Sequence, residues 1–245
     1  MTATGRDPGL PGLYLEVAGL PGSGKSRLVR SLTAALTERG IDVRLPQAGY
    51  SPSVPTPRRL ARKAVACARV GACAPLATVR LVRGVRRSGQ PGAADLAGRL
   101  VQLLVAESAV SRSRPPGVHI LDEGVVQSLW SVGLRGDAAP ALDALDAPGA
   151  WPTADLLVVL AVAPEVAAER LRTRRSRHSR LQGLSDSEAL AAIRSGQKRL
   201  DELVEWWTTR PGVSGELFVV QGAEEDGDDR DRLVERVVEL AERAR

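Results

Sequence analysis

Five short apolar runs divide the sequence, and longer amphipathic segments lie between them. Short runs that are apolar almost throughout are typical of strands buried on both faces of a parallel sheet. Segments with apolar residues three and four positions apart indicate helices that pack on such a sheet. The predicted strands are Leu13–Ala18, Ile41–Leu45, Val118–Leu121, Asp155–Val162 and Glu216–Val220.

The alternation of strand and helix predicts the fold class. Strands that alternate with helices imply right-handed crossovers and a parallel sheet covered on both faces. We therefore expect an α/β fold with five parallel strands and helices on both faces. The 245 residues are an ordinary length for one such domain, and we expect 1–245 to form a single domain.

One long segment, 46–116, contains no convincing strand. It begins with several prolines and continues as helical pieces. The clearest piece places Leu96, Leu100, Leu103 and Leu104 on one stripe. We expect this insert between the second and third strands to form a helical lobe over the carboxyl edge of the sheet, on the acceptor side.

The charge distribution of the insert has two interpretations. The net charge is +5, and the range 43–94 holds ten Lys or Arg residues and no Asp or Glu. This pattern fits a solvated basic face, and it also fits a field that attracts an anionic substrate or an acidic partner. No aromatic residue lies among the basic residues from Arg58 to Arg87, so we expect no DNA or RNA partner.

Composition excludes several classes of protein. No apolar run approaches the ~18 residues that span a bilayer, and the N-terminus lacks the pattern of a signal peptide. We therefore expect a cytoplasmic protein with no membrane partner. Two cysteines and two histidines exclude a zinc finger, so a metal site would rest on carboxylates, hydroxyls or phosphate. Cys67 and Cys73 are interpreted as small core residues.

The stretch "GLPGSGKS" follows the first strand and satisfies the pattern G-x-x-x-x-G-K-[ST]. Glycines let backbone N–H groups converge on phosphate oxygens, and the helix that follows adds its positive end. The lysine would reach the β- and γ-phosphates and the final serine would bind Mg²⁺. The predicted nucleotide-binding residues are Gly19, Leu20, Pro21, Gly22, Ser23, Gly24, Lys25 and Ser26, with Lys25 also catalytic.

Two carboxylates, Asp122 and Glu123, follow the third predicted strand. An open parallel sheet presents its ligand crevice at this edge. A carboxylate there can hold Mg²⁺ through water or accept the proton of an attacking hydroxyl. The sequence leaves open which residue is the base, and Asp122 could instead be a helix N-cap. We predict both as catalytic, and Asp122 and Ser26 as the metal ligands.

Six arginines and one acid occupy Glu169–Arg180. A solvated helix face is the alternative, but so many like charges repel one another. Phosphoryl transfer needs mobile cations that close over the γ-phosphate. We therefore predict a lid at 170–183, in which Arg170 and Arg174 bind the nucleotide and Arg174 and Arg175 act in catalysis.

Taken in order, "GLPGSGKS", "ILDEG" and "DLLVVLAVAPEVAAERLRTR" resemble P-loop kinases of the nucleotide-kinase type. The resemblance is to thymidylate kinase-like and deoxynucleoside kinase-like proteins and covers most of the chain. It implies the P-loop NTPase fold, a five-stranded parallel sheet with a helical acceptor region and a hinged lid, and use of ATP with Mg²⁺.

The chain departs from that family at two places. The third strand of the family is usually followed by Asp-Arg-Tyr or Glu-Arg-Ser, whereas Asp122-Glu123-Gly124 stands here. After the second strand, "RLPQAGYSPS" replaces the acidic or Arg-Glu-Pro-Gly element. The identity of the acceptor therefore does not carry over from the resemblance.

The leading hypothesis is an ATP-dependent phosphotransferase acting on a small molecule, with a nucleoside or nucleotide as the first candidate. The chain contains no Asn, which excludes the guanine-reading Asn-Lys-x-Asp element of GTPase switches. A P-loop ATPase or a regulatory nucleotide-binding protein without an acceptor stays open. The expected partners are the nucleotide triphosphate and the acceptor, and a homodimer is left open.

Overall fold

The computed structural model describes residues 12–51, 53–111, 115–146, 154–173, 184–210, 215–221 and 227–243. A five-stranded sheet forms the centre of the molecule, and all of its strand pairs are parallel. The strands are β1 Leu13–Gly19, β2 Val43–Arg44, β3 Val118–Leu121, β4 Leu156–Ala161 and β5 Glu216–Gln221. This sheet confirms the predicted fold class.

Helices connect the strands and pack around the sheet. Within the described residues they are α1 Lys25–Glu38, α2 Thr56–Cys73, α3 Pro75–Arg87, α4 Ala93–Val110, α5 Val125–Gly133, α6 Ala139–Asp146, α7 Pro164–Thr173, α8 Asp186–Thr209 and α9 Gly227–Arg243. A short 3₁₀ turn, Ala48–Tyr50, follows β2. Helices α2, α3 and α4 occupy most of the segment that was predicted to contain no strand.

The strand order β2-β3-β1-β4-β5 puts β1 at the centre. The chain proceeds from β1 to β2 and β3 on one side and then crosses to β4 on the other. Ligand crevices form at such a reversal, outside the carboxyl ends of the strands. Because β1 pairs directly with β3, the loop after β1 and the turn after β3 lie side by side.

The strands form a continuous core with the helices on both faces. All seven residues of β1 are buried, and so are the first five of β4. Burial on both faces explains why these strands are apolar almost throughout instead of alternating. Leu15 and Val17 have no exposed surface, whereas their neighbour Glu16 is a buried carboxylate at 1% exposure.

The sequence predicted most element boundaries closely and overestimated β2. Strand β3 has the predicted bounds, but the predicted Ile41–Leu45 shortens to two paired residues, Val43 and Arg44. Among the described residues, strand β2 lies at the sheet edge and pairs with the four-residue β3 alone, which limits the ladder that it can form. The apolar pattern predicted its place in the chain and not its length.

The interpretation of both cysteines as core residues was wrong for one of them. Cys67 is partly buried, whereas Cys73 at the end of α2 is exposed. Helix α2 turns a face of small residues to solvent, so alanine and cysteine there carry no information about burial. Small side chains change the hydrophobic pattern too little to mark a helix face.

Helices α2 and α3 meet at a sharp bend and expose several apolar side chains, among them Leu60, Val65 and Leu76. Within the described part of the chain, no single helix is long and apolar enough to cross a bilayer. Helices α2 and α3 together have the length and the apolar composition of a membrane span, but the chain bends by 117° between them. Most arginines of these two helices are exposed, as a solvated basic face requires.

Candidate active site

The loop after β1 has the geometry of an anion-binding cradle. Gly22 and Gly24 have φ angles of 86° and 104°, which glycine adopts without the strain of a side chain. Gly24 precedes the first residue of α1, so the positive end of that helix faces the loop. Backbone N–H groups and a helix N-terminus together favour a bound phosphate.

Lys25 lies folded against this loop. Its Nζ donates to the carbonyl oxygens of Gly19 at 2.6 Å and Leu20 at 3.1 Å. The side chain is therefore held at the mouth of the cradle, with its charge beside the space that phosphates would occupy. Lys25 also lowers the pKa of Glu123, which shows that its charge acts on the turn after β3.

Ser23 gives an independent indication that the loop fits an anion. The residue is 2% exposed, and its Oγ has no hydrogen-bond partner among the described residues. A buried polar group left unbonded costs roughly 1–3 kcal/mol, and a phosphate oxygen would accept its hydrogen bond. The donors present in the loop therefore fit a polyphosphate.

The two carboxylates predicted as catalytic follow β3, beside the loop. Helix α5 has Gly124 as its N-cap, without a side-chain capping bond. The alternative of Asp122 as an N-cap is therefore wrong, because the helix begins two residues too late. Asp122 is partly buried and Glu123 is exposed, so both carboxylates are accessible at the carboxyl edge of the sheet.

The surroundings of Glu123 raise its pKa. Although the side chain is open to solvent, nearby protein atoms desolvate the carboxyl group, and the charge of Asp122 raises the pKa further. Lys25, Lys63 and Arg99 act in the opposite direction. Because Lys63 lies on α2 and Arg99 on α4, the helices between β2 and β3 bring positive charge to this turn.

Gln47, which sequence reasoning did not identify, fixes the backbone of this turn. Its Nε2 donates to the carbonyl oxygen of Glu123 at 2.6 Å, and the Glu123 N–H donates to Gln47 Oε1 at 3.1 Å. Two such bonds hold the Glu123 peptide against the segment after β2. Gln47 lies in the "RLPQAGYSPS" stretch, where the resemblance expected an acidic element.

The predicted lid lies only partly within the described residues. Arg170 on α7 donates from Nη1 to the carbonyl oxygen of Ser23 at 3.5 Å, so it contacts the Gly19–Ser26 loop. Arg172 instead pairs with Glu169 at 2.7 Å on the solvent side. Arg174 and Arg175, and the range 174–183 as a whole, lie outside the described residues.

A buried carboxylate beneath the site, Glu16, was also missed. Its Oε1 accepts from the N–H of Gln127 at 3.1 Å and its Oε2 from the Tyr14 hydroxyl at 3.3 Å. Desolvation raises the pKa of Glu16 from 4.5 to about 7, although N–H groups at the start of α5 lower it. Tyr14 has a raised pKa as well, chiefly through burial.

No cluster of three or more His, Cys, Asp or Glu side chains suited to a metal occurs in the described ranges. The Ser26 hydroxyl and the Asp122 carboxylate are hard oxygen donors of the kind that Mg²⁺ prefers, and phosphate oxygens would complete its shell. The residue types present fit a phosphate-bound Mg²⁺.

Replacing Gly22 with alanine is expected to lower the free energy of unfolding by about 2 kcal/mol or more. A Cβ there would overlap the carbonyl oxygen of Ala167 on α7, and the φ of 86° strains any L side chain. Urea unfolding of the wild type and of Gly22→Ala measures this loss of stability. Gly98→Ala on α4, where a Cβ meets open space, is the matched control and should stabilise the protein slightly. Equal stability of Gly22→Ala and Gly98→Ala would contradict the geometry of the loop.

Replacing Glu16 with glutamine is expected to remove a pH dependence of stability. Because the folded-state pKa is raised, from 4.5 to about 7, Glu16 stabilises the fold at low pH, and this contribution is lost as the pH rises through 7. The wild type should therefore lose about 2.5 kcal/mol relative to Glu16→Gln between pH 5 and pH 8. Urea unfolding at the two pH values measures the difference, and a constant difference would show that Glu16 does not titrate in this range.

Comparison with known proteins supports the fold alone. No protein-family model and no curated protein sequence matches the chain. A structure of deoxyadenosine kinase from M. mycoides with bound dATP is similar, with a TM-score of 0.55, 10% identity and coverage of 92% of this chain and 99% of that one. A second structure of that kinase, with products dCMP and a flexible dCDP, has a TM-score of 0.51, 10% identity and coverage of 93% and 100%. The chain therefore has a fold similar to that of a deoxyadenosine kinase over nearly its whole length.

Proposed function

We propose that the protein is an ATP-dependent phosphotransferase that transfers the γ-phosphate to a hydroxyl of a nucleoside or a nucleotide. The observation that carries the proposal is the pairing of β1 with β3. This pairing sets the Gly19–Ser26 loop, whose donors suit a polyphosphate, beside two accessible carboxylates. A donor site and a proton acceptor in such a position are the parts that phosphoryl transfer requires.

The donor half of the site is the loop from Gly19 to Ser26. Its N–H groups and the N-terminus of α1 would bind the phosphates, and Ser23 would donate to a phosphate oxygen. Lys25 would exchange its bonds to the loop carbonyls for the β- and γ-phosphates. Arg170, which already contacts the loop, would add a second cation on the side of α7.

The acceptor half of the site includes the turn after β3, and we assign Glu123 as the general base. A base that works near neutral pH needs a raised pKa and an accessible carboxylate. Glu123 has both, since desolvation and Asp122 raise its pKa and its side chain is exposed. Gln47 restrains the Glu123 peptide, which leaves the carboxyl group free to reach an acceptor while its backbone stays fixed.

The proposed step is a single in-line displacement. The acceptor oxygen forms a bond to the γ-phosphorus while its proton passes to the Glu123 carboxylate. The bond between the γ-phosphorus and the oxygen that bridges to the β-phosphate breaks with its electron pair, and ADP leaves. Lys25 and Arg170 stabilise the charge that moves onto the leaving oxygens.

Asp122 and Ser26 are assigned to Mg²⁺. When bound, the ion neutralises charge on the β- and γ-phosphates. Asp122 would orient it through water, and the hydroxyl of Ser26 would coordinate it directly. This division of tasks leaves Glu123 free for the proton.

The range 170–183 would close over the nucleotide, with Arg174 and Arg175 approaching the γ-phosphate. The described part of this range supports the proposal at one point, the contact of Arg170 with the loop. The acceptor would lie under the helices of 46–116, whose Lys63 and Arg99 act on Glu123. Positive charge there suits an acceptor whose hydroxyl lies near an anionic or electron-rich group.

A nucleoside or nucleotide is the first acceptor to test, because the similar structures are of a deoxyadenosine kinase and contain dATP, dCMP and dCDP. ADP formation from ATP and Mg²⁺ should be followed with and without a panel of nucleosides and nucleotides. At least one of them should stimulate ADP formation roughly tenfold or more. ADP formation that no member of the panel changes would instead support an ATPase or a regulatory protein.

A further inference from the structure

The middle of β1 contains a carboxylate where the surrounding strand is apolar. Glu16 is 1% exposed, between Leu15 and Val17, which have no exposed surface. Tyr14 and Glu16 pair with His119 and Leu121 of β3, so these side chains share one face of the sheet. A leucine would fill this position without desolvating a charge, so stability does not explain the residue.

Glu16 contacts the beginning of α5, the helix that follows the two catalytic carboxylates. The first N–H groups of a helix have no partner within it, and Gly124 offers no side chain to cap α5. Glu16 Oε1 accepts from Gln127 N at 3.1 Å, and the N–H groups of Val125 and Val126 also act on the carboxylate. Glu16 therefore caps α5 from a neighbouring strand.

The fit between Glu16 and the turn is tight enough to require glycine. A Cβ on Gly124 would overlap the carboxyl group of Glu16 and come within 2.6 Å of its Oε1. Gly124 is the third residue of the Asp122-Glu123-Gly124 turn, whose sequence departs from the kinases that the chain resembles. The glycine is therefore explained by a long-range contact with β1.

A second bond connects the same helix to the nucleotide-binding loop. The side chain of Gln127 accepts, through its Oε1, from the N–H of Gly19 at 3.1 Å. Gly19 is the first residue of the loop, and Gln127 itself is 6% exposed. Glu16 and Gln127 thus join β1, the loop and the helix that carries the Asp122–Glu123 turn.

We propose that Glu16 is a positioning residue, which sets the Asp122–Glu123 turn relative to the nucleotide-binding loop by capping α5. The inference rests on the proposed function for its effect on catalysis and on the contacts above for its geometry. The ionised carboxylate accepts several N–H groups at once. Protonation turns one of its oxygens into a donor and weakens this cap, so the alignment of the two halves depends on pH.

The titratable groups on the elements around Glu16 are Tyr14 of its own strand, His119 of β3, Glu107 of α4, and Asp122 and Glu123 of the turn before α5. Of these, Tyr14 acts directly on the Glu16 carboxylate, through its hydroxyl. Tyr14 donates to Glu16 at 3.3 Å, and Glu107 raises the pKa of Tyr14. The ring of His119 bonds to the carbonyl oxygen of Pro115 at 2.8 Å.

Two variants and one control test the proposal. Glu16→Gln keeps the shape of the side chain and removes its charge. Gly124→Ala adds a Cβ that would overlap the Glu16 carboxyl group from the start of α5. Asp155→Asn is the control, because Asp155 also bonds β1, at Tyr14 N and 2.7 Å, but near the amino end of the strand and away from the loop that begins at Gly19. Exchange of the Val125, Val126 and Gln127 amides, resolved by NMR, reports the cap in the full chain without substrate.

In Glu16→Gln the three amides should exchange about tenfold faster than in the wild type, as expected for loss of a hydrogen bond to a charged group. The affinity for a non-hydrolysable ATP analogue should change by less than about threefold, since the loop keeps its own donors. The kcat should fall roughly ten- to a hundredfold, with a flatter profile between pH 6 and pH 8. Asp155→Asn should match the wild type in all three measurements.

Gly124→Ala should accelerate exchange at the same amides even if it lowers overall stability. Unchanged exchange at the three amides in Glu16→Gln would overturn the proposal. A kcat and pH profile equal to those of the wild type would overturn its catalytic part. If the wild type transferred no phosphate to any acceptor, the exchange and analogue-binding data would still decide the geometry, and the proposed function alone would fail.

Discussion

Replacing Lys25 with alanine should lower phosphate transfer by a hundredfold to a thousandfold or more, on the order of the loss seen when one charge-stabilising donor is removed. The ammonium group is held beside the loop by the carbonyls of Gly19 and Leu20 and is therefore preorganised for the β- and γ-phosphates. Steady-state measurement of kcat and KM for ATP checks the prediction. Most of the loss should appear in kcat, because charge redistributes over these phosphates in the transition state.

The chain offers a matched control for this variant. Lys198 on α8 is exposed and lies outside the loop and the turn. Lys198→Ala should retain kcat and KM within about twofold, as an exposed surface substitution does. A Lys25→Ala protein with the turnover of Lys198→Ala would show that the loop is not the donor site.

Replacing Glu123 with glutamine should lower kcat by roughly a hundredfold to ten-thousandfold, the range for loss of a general base. Desolvation and Asp122 raise the pKa of Glu123, so the wild-type rate should fall as the pH drops through that raised pKa and the base becomes protonated. Glu123→Gln should lose the part of this acidic limb that protonation of Glu123 causes. Affinity for ATP, measured by calorimetry, should stay nearly constant because no contact of the loop is removed.

The variant Asp122→Asn distinguishes the role of Asp122 from that of Glu123. If Asp122 orients Mg²⁺, this variant should require more Mg²⁺ for half-maximal rate and should recover part of its activity at high Mg²⁺. Glu123→Gln should not respond to added Mg²⁺. A reversed result, with the acidic limb lost in Asp122→Asn and kept in Glu123→Gln, would exchange the two roles.

The sequence predicted the elements whose signal is local. The apolar runs of β1, β3 and β4 are detectable because both faces of a central parallel strand are buried. The glycine-rich loop is recognised because phosphate binding fixes residue types at short, constant spacing. Asp122 and Glu123 could be placed at a strand end from the sequence because they directly follow the apolar run of β3.

The missed residues act through contacts between distant parts of the chain. Glu16 stood inside a run that marks a buried strand, and nothing nearby indicates the helix that it caps more than a hundred residues later. Gln47 bonds a peptide 76 positions away. Lys63 and Arg99 are two of many basic residues in the insert, and only the packing of α2 and α4 distinguishes them from solvated neighbours.

The strand order adds what local patterns lack. Apolar runs predict that strands exist, but the order β2-β3-β1-β4-β5 arises from packing of the whole chain. That order makes β1 and β3 neighbours and so brings the loop and the carboxylates together. Trp206 and Trp207 show the same limit on a smaller scale: adjacent positions predict that only one is fully buried, and packing selects Trp207, at 2% exposure.

The most direct test of the central claim is to follow the γ-phosphate itself. ATP labelled at the γ-phosphate should be incubated with the protein, Mg²⁺ and the nucleoside or nucleotide that best stimulates ADP formation. We predict that the label appears on the acceptor in a one-to-one ratio with ADP, because the base activates an acceptor hydroxyl and not water. Label found only as inorganic phosphate, with or without the acceptor, would contradict a phosphotransferase and identify an ATPase.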